Sequence, residues 1–113
     1  DSHYYLTGTV NNKQVRFIID TGATKISIPE NLAKKIDLAI GPSITISTAS
    51  GIAKGHLTKI SNLKIGPIEF ANISAIIIPD PGNDALLGMN ILNKFEISQK
   101  EDVLILTYKK KTN

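Results

Sequence analysis

Three observations predict a mainly β domain with one or two short helices. Apolar and polar residues alternate with a period of two over much of the chain. Short runs rich in Ile, Val and Thr are bounded by Gly, Pro and Asn clusters, and only two stretches recur at helical spacing. Many short strands joined by glycine and proline turns point to a small barrel or sandwich. The 113 residues suit one compact core and leave no room for a second. Residues 1–108 are therefore read as a single domain and 109–113 as a basic C-terminal tail.

Taken in order, Tyr4 to Val10 and Val15 to Asp20 are two β-rich runs around the polar stretch Asn11-Asn12-Lys13-Gln14, a hairpin signal. Pro29-Glu30 then opens a segment in which Leu32, Ala33 and Ile36 share one helical face, and proline suits a helix start. Alternation returns at Ser43 (Ile44, Ile46, Thr48), pauses at Ala49-Ser50-Gly51 and resumes from Ile52 to Ile65, giving a second hairpin with glycine near its tip. Gly66-Pro67 makes a turn before a strand from Ile68 to Ile78, whose apolar end suits burial on both faces. Pro79 to Asp84 reads as an irregular connection, and calcium binding there is the lesser reading. Ala85-Leu86-Leu87-Gly88 is a short buried strand and Met89 to Phe95 a brief helix. Phe95 to Ile97 and Val103 to Tyr108 flank a polar turn at Gln99 to Asp102. The last strand is either a dimerisation element or an ordinary sheet edge.

Composition excludes several function classes. Apolar residues at 42% and charged residues at 20% match an ordinary globular chain and not a disordered one. No apolar run reaches the roughly 18 residues of a membrane-spanning helix, so the sequence as given reads as soluble. A membrane anchor outside these residues is compatible with that, and the compartment stays open. The absence of cysteine rules out disulfides, thiolate metal sites and cysteine nucleophiles. The net charge of +3 is matched by Lys109, Lys110 and Lys111 alone. That tail is read as a solvated end and not as a nucleic-acid patch, which would spread over a face with interleaved aromatics. His3 and His56 lack the paired spacing of metal ligands, and no nucleophile elbow or phosphate-binding loop is present; neither metal nor cofactor is expected.

One triplet carries chemistry. Phe17-Ile18-Ile19-Asp20-Thr21-Gly22-Ala23 places a carboxylate directly after an apolar strand, where a rigid scaffold can hold it at a cleft. Taken alone, Asp-Thr-Gly is also a common turn composition. The same chain, however, carries the glycine-tipped hairpin from Thr48 to Gly55, and then Leu86-Leu87-Gly88 before a short helix. In that order these features resemble the retropepsin-type aspartic proteases, the single-lobe relatives of pepsin, and more closely their bacterial members. Ile18 to Thr24 with Ile28-Pro29 is similar to the family's catalytic loop, Thr48-Ala49-Ser50-Gly51 to its flap, and Leu86 to Leu92 to its second apolar-glycine motif and helix. The resemblance spans about residues 5 to 106 and implies a closed β-barrel of the acid-protease type.

Peptide hydrolysis without a metal or covalent intermediate needs a base to activate water and an acid to polarise the carbonyl, and one carboxylate cannot do both at once. Two carboxylates close together share a proton and divide those roles. This chain has one Asp-Thr-Gly, and its remaining acids lie in helix, turn or tail contexts. The second aspartate is therefore expected from another copy, in a two-fold homodimer with one Asp20 per subunit on the axis. In family terms Thr21 would hydrogen-bond across the dimer, Gly22 would donate its backbone N–H and leave room, and Ala23, Leu87 and Gly88 would support the loop. Ala23 stands where pepsin-like lobes often carry a hydroxyl residue, which removes a donor. Ala49, Ser50, Gly51 and Ile52 would form a flap over an extended polypeptide substrate, with apolar walls from Ile26, Ile28, Ile52 and Ile77. The expected activity is that of an aspartic endopeptidase. The alternative is a weakly active or non-catalytic dimerisation or peptide-binding module on the same fold. An exported bacterial location would fit the resemblance.

Overall fold

The structure is a computed structural model that describes residues 3–48 and 50–109, with the side chain of Thr48 left out. Ala49 and the tail residues 110–113 lie outside the described residues. The chain runs β1 (Tyr5–Val10), β2 (Lys13–Ile19), β3 (Ile26–Pro29), α1 (Glu30–Lys35), β4 (Ser43–Thr48), β5 (Gly51–Ile65), β6 (Ile68–Ile78), β7 (Ala85–Leu87), α2 (Met89–Leu92), β8 (Phe95–Lys100) and β9 (Val103–Tyr108).

The fold is mainly β, as its alternation predicts, and it closes on itself. The main sheet runs β1-β2-β7-β3-β6-β5-β4, and β1 also pairs with β5 through Thr9↔Lys64 and Val10↔Leu63. Six strands thus form a ring, and β4 hangs from β5 as the outer strand of a hairpin. Closure removes the free edges of the six and encloses one apolar core. Val10, Val15, Phe17, Ile60, Leu63, Leu87, Ile91 and Leu92 are among its buried residues, and the described residues include no buried charged or polar side chain in that core.

Local chemistry explains the joints. The β1–β2 turn is tighter than the four polar residues of its sequence suggest. Asn11 and Asn12 alone span it, both at positive φ (51° and 70°), and Asn tolerates the left-handed region better than most residues. The Asn11 side chain accepts the Asn62 N–H at 3.0 Å, tying this turn to β5 at the barrel seam. Helix α1 follows Pro29, has Glu30 in its first turn and Lys34 and Lys35 in its last, and buries Leu32 and Ala33 against the core.

The last two strands leave the barrel. β8 and β9 pair only with each other among the described strands, as an antiparallel ribbon. It docks through a cluster in which Phe70, Phe95 and Tyr108 meet edge to face at 5.7–6.2 Å between ring centroids. Helix α2 ends at Leu92, short of the expected Phe95. Phe95 instead opens β8 opposite Tyr108, and β8 extends through Lys100, well beyond the three residues its sequence suggests.

Candidate active site

The Asp20 loop stands where two parallel strand pairs meet. β2 runs beside β7 (Ile18↔Leu86, Ile19↔Leu87), and β3 runs beside β6 (Ile28↔Ile77). The loop from 20 to 25 joins β2 to β3, so both of its ends are fixed in the barrel wall. The Asp20 N–H donates to the Leu87 carbonyl at 3.1 Å, and the Ala23 N–H donates to the Asp20 carbonyl at 3.2 Å. The Met89 N–H then reaches the Ala23 carbonyl at 2.7 Å, and the Asn90 N–H the Thr24 carbonyl at 3.0 Å. The start of α2 is thereby stitched to the loop that carries the aspartate.

Within that frame Oδ1 of Asp20 accepts the backbone N–H of Gly22 at 2.9 Å. The bond fixes the plane of the carboxylate at little entropic cost, because donor and acceptor are two residues apart. A Cβ at Gly22 would stand 3.2 Å from that oxygen, so glycine keeps the approach open. Thr21 and Gly22 are both exposed on this subunit. Gly88 meets a harder limit. A Cβ there would collide with the Lys25 carbonyl oxygen and lie 2.9 Å from that of Ala23, so only glycine lets the two segments pass this closely.

The β4–β5 hairpin contributes Ile46 and Ala53 to a cavity of about 410 Å³. Ser27 of β3, Leu86 of β7, Ile78 of β6 and the following Pro79 and Asp80 also line it. Ser50 also borders it from the hairpin tip, and Gly51 beside it adopts φ +128°. The volume lies in the lower part of the range for small-molecule and peptide side-chain pockets.

The apolar walls differ from those expected. Ile26, Ile28 and Ile77 are 0%, 1% and 2% exposed and belong to the core. Their neighbours Ser27 and Ile78 turn towards the cavity instead. The reason is the period of two: adjacent strand residues point to opposite faces, and in β3 and β6 the larger run of isoleucines serves the barrel interior. Ile52 is 78% exposed at the hairpin and lies outside the cavity lining. Leu87, also core, contributes its carbonyl to Asp20 and not its side chain to the cleft.

Sequence reasoning missed one interaction next to the site. Asp84, on the connection before β7, receives a two-pronged pair of hydrogen bonds from Arg16 on β2, at 2.9 Å from Nε and 2.8 Å from Nη2. These bonds hold the Asp84 carboxyl below its ordinary range and raise the guanidinium. The Arg16 guanidinium also lies over the Tyr5 ring at 4.6 Å. Because the two partners are separated by 68 residues, no local pattern announces the pair. It also commits one of the two carboxylates of the 80–84 loop, and no metal-ligating cluster is found among the described residues.

Comparison with known proteins agrees with this arrangement. The family described as "gag-polyprotein putative aspartyl protease" matches residues 6–94. A crystal structure of a retropepsin-like aspartic protease from Rickettsia conorii superposes with a TM-score of 0.81 at 32% identity, over 94% of this chain and 83% of that one. EIAV protease complexed with the inhibitor HBY-793 shares the fold at a TM-score of 0.69 and 16% identity, over 82% of this chain and 88% of that one. An uncharacterised protein of Rickettsia prowazekii is 32% identical over 96% of this chain and 48% of its own length. Another, from the cobV 5′ region of Sinorhizobium sp, is 33% identical over 88% of this chain and 44% of its own. The chain thus spans about half the length of the curated relatives it matches. With its closed barrel, its Asp-Thr-Gly loop and a family match over most of its length, this chain belongs to the retropepsin-like aspartic proteases.

Proposed function

We propose that the domain is a homodimeric aspartic endopeptidase in which the Asp20 carboxylates of two subunits share one proton. The observation that carries this reading is the Asp20 loop itself. It holds an aspartate at the end of a barrel strand, fixed through Oδ1 by the Gly22 N–H and through its backbone by Leu87, whose neighbour Leu86 lines a cavity. Of the other aspartates, Asp84 is committed to Arg16 and Asp37 to Lys13, and Asp80 sits between two prolines outside any Asp-Thr-Gly loop, which supports a second carboxylate supplied by another copy. The exposed Thr21 and Gly22 would then face the partner loop.

In this mechanism the ionised Asp20 takes a proton from a water held between the two carboxylates. The oxygen of that water attacks the scissile carbonyl carbon while the protonated carboxyl of the partner's Asp20 donates to the carbonyl oxygen. The Asp20 that took the water's proton then delivers it to the leaving nitrogen, a hydroxyl of the tetrahedral intermediate returns a proton to the partner's Asp20, and the C–N bond breaks to give the acid and the amine. The β4–β5 hairpin, carrying Ser50, Gly51 and Ile52, would close over an extended polypeptide and exclude bulk water.

The test is cleavage of a mixed peptide library from acidic to neutral pH by wild type and Asp20→Asn, at protein concentrations where sedimentation shows dimer. Asparagine keeps an oxygen for the Gly22 N–H, so the fold should persist while turnover falls by about 10²–10⁴-fold, the loss of a general acid–base group. Equal cleavage by both proteins refutes the role of Asp20. Equal inertness of a demonstrably dimeric wild type refutes the peptidase and leaves a peptide-binding module.

A further inference from the structure

The cavity beside the β4–β5 hairpin has a mostly apolar lining and one carboxylate. Ile46, Ala53, Ile78, Pro79 and Leu86 line it together with Ser27, Ser50 and Asp80. Pro79 and Asp80 also border a second depression of about 220 Å³, together with Glu30, Asn31 and Pro81. The Asp80 carboxylate has no cation or hydrogen-bond donor among the described residues, in contrast to Asp37 and Asp84, which are both paired.

Its position is also prearranged. Pro79 and Pro81 flank Asp80 and fix their own φ, the following proline restricts Asp80 as well, and the Asp80 N–H donates to the Ile78 carbonyl at 2.9 Å. These constraints fix the backbone that carries the carboxylate, so only the side-chain torsions remain to be ordered when it meets a charge. The same cavity is tied to the Asp20 frame: Leu86 pairs with both Ile18 and Ser27, and its neighbour Leu87 accepts the Asp20 N–H.

From this geometry we infer that Asp80 is a specificity-determining residue, and that the pocket takes a substrate side chain with an apolar stem and a cationic head, lysine or arginine, near the reacting bond. The methylene stem would lie along Ile46, Ile78 and Leu86 while the ammonium or guanidinium reaches Asp80. The inference rests on the peptidase reading for its substrate, and its test separates the two.

The probe is a hexapeptide library in which lysine, arginine, norleucine and glutamate are fixed in turn at each position. With wild type, lysine and arginine peptides should be cut faster than norleucine peptides at one position. Asp80→Asn should lower that ratio about three- to tenfold, the range between a screened ion pair and a charge-assisted hydrogen bond. Asp80→Lys should shift preference to glutamate. Cleavage without a lysine or arginine preference, or a preference unchanged in Asp80→Asn, overturns the pocket assignment and leaves the peptidase standing. If wild type cleaves nothing, selection of the same library on immobilised Asp20→Asn protein decides. Retention of lysine peptides over norleucine peptides, abolished by adding Asp80→Asn, upholds the pocket while the peptidase falls; retention without that difference, or none, overturns the pocket too.

Discussion

Gly88→Ala tests whether the site is held by close packing of backbone segments. Gly88 has φ −98° and ψ −176°, an extended conformation that alanine adopts freely, so no dihedral strain is added. The whole effect must come from crowding. The new methyl would overlap the Lys25 carbonyl oxygen, approach its carbon at 2.7 Å and the Ala23 oxygen at 2.9 Å, all of them backbone atoms that no rotamer change can move aside. Relief requires the start of α2 to withdraw from residues 23–25, and that withdrawal stretches the Met89–Ala23 and Asn90–Thr24 hydrogen bonds. Overpacking costs about 1–3 kcal/mol and the two weakened hydrogen bonds about 1 kcal/mol together, so the variant should lose about 2–4 kcal/mol. For a small domain this lowers the urea midpoint by roughly 1–2 M. The assay is urea unfolding followed by circular dichroism at one fixed protein concentration, since the proposed dimer would make stability depend on it. A midpoint within about 0.3 M of wild type would refute the packing argument.

Two further outcomes follow from other contacts. The Arg16–Asp84 pair predicts a pH signature. A carboxyl whose folded pKa is lowered adds stability above its unfolded pKa, near 4, and loses it as pH falls through the lower folded value. Thermal unfolding should therefore show wild type above Asp84→Asn by a constant margin near neutrality, with the gap narrowing as the pH falls below about 4; a margin that does not narrow there would sink the assignment. Phe95, buried between Phe70 and Tyr108, should cost about 3–5 kcal/mol on replacement by alanine and release the β8–β9 ribbon first, seen as lost amide-exchange protection in residues 95–108. A loss under about 1 kcal/mol, or unchanged protection, would show that the ribbon is held by something else.

What was legible in the sequence is what local pattern encodes. Alternation with turn residues marks β1, β2, β5 and β6 within a few residues, and Pro29 marks α1. The Asp-Thr-Gly loop and the Leu-Leu-Gly segment are legible as a pair because their chemistry and order repeat a known arrangement. The face of a strand is not legible when both sides are apolar: in Ala75-Ile76-Ile77-Ile78 nothing local says that Ile77 turns inward and Ile78 to the cavity, and the cleft walls were displaced by one residue for that reason. β8 is under-read because Ser98, Gln99 and Lys100 are exposed and polar, and Gln99 and Lys100 read as part of a turn; their strand is imposed by pairing with β9. Arg16 and Asp84 meet only through the barrel, so neither residue signals the other.

The anchoring of Asp20 by the Leu87 carbonyl has a consequence for biosynthesis. The aspartate is made early, in the second strand, but the group that fixes its backbone belongs to the seventh, and the helix that stitches its loop follows later still. A nascent chain that has released β1 to β6 holds the Asp-Thr-Gly sequence without the frame that orders it. Because such sequence-distant pairings form late and slowly, the anchored geometry of the loop arises only after nearly the whole barrel has been synthesised and folded. Translation itself therefore delays the appearance of an ordered carboxylate, and an N-terminal fragment ending before Ala85 would carry the motif without the site.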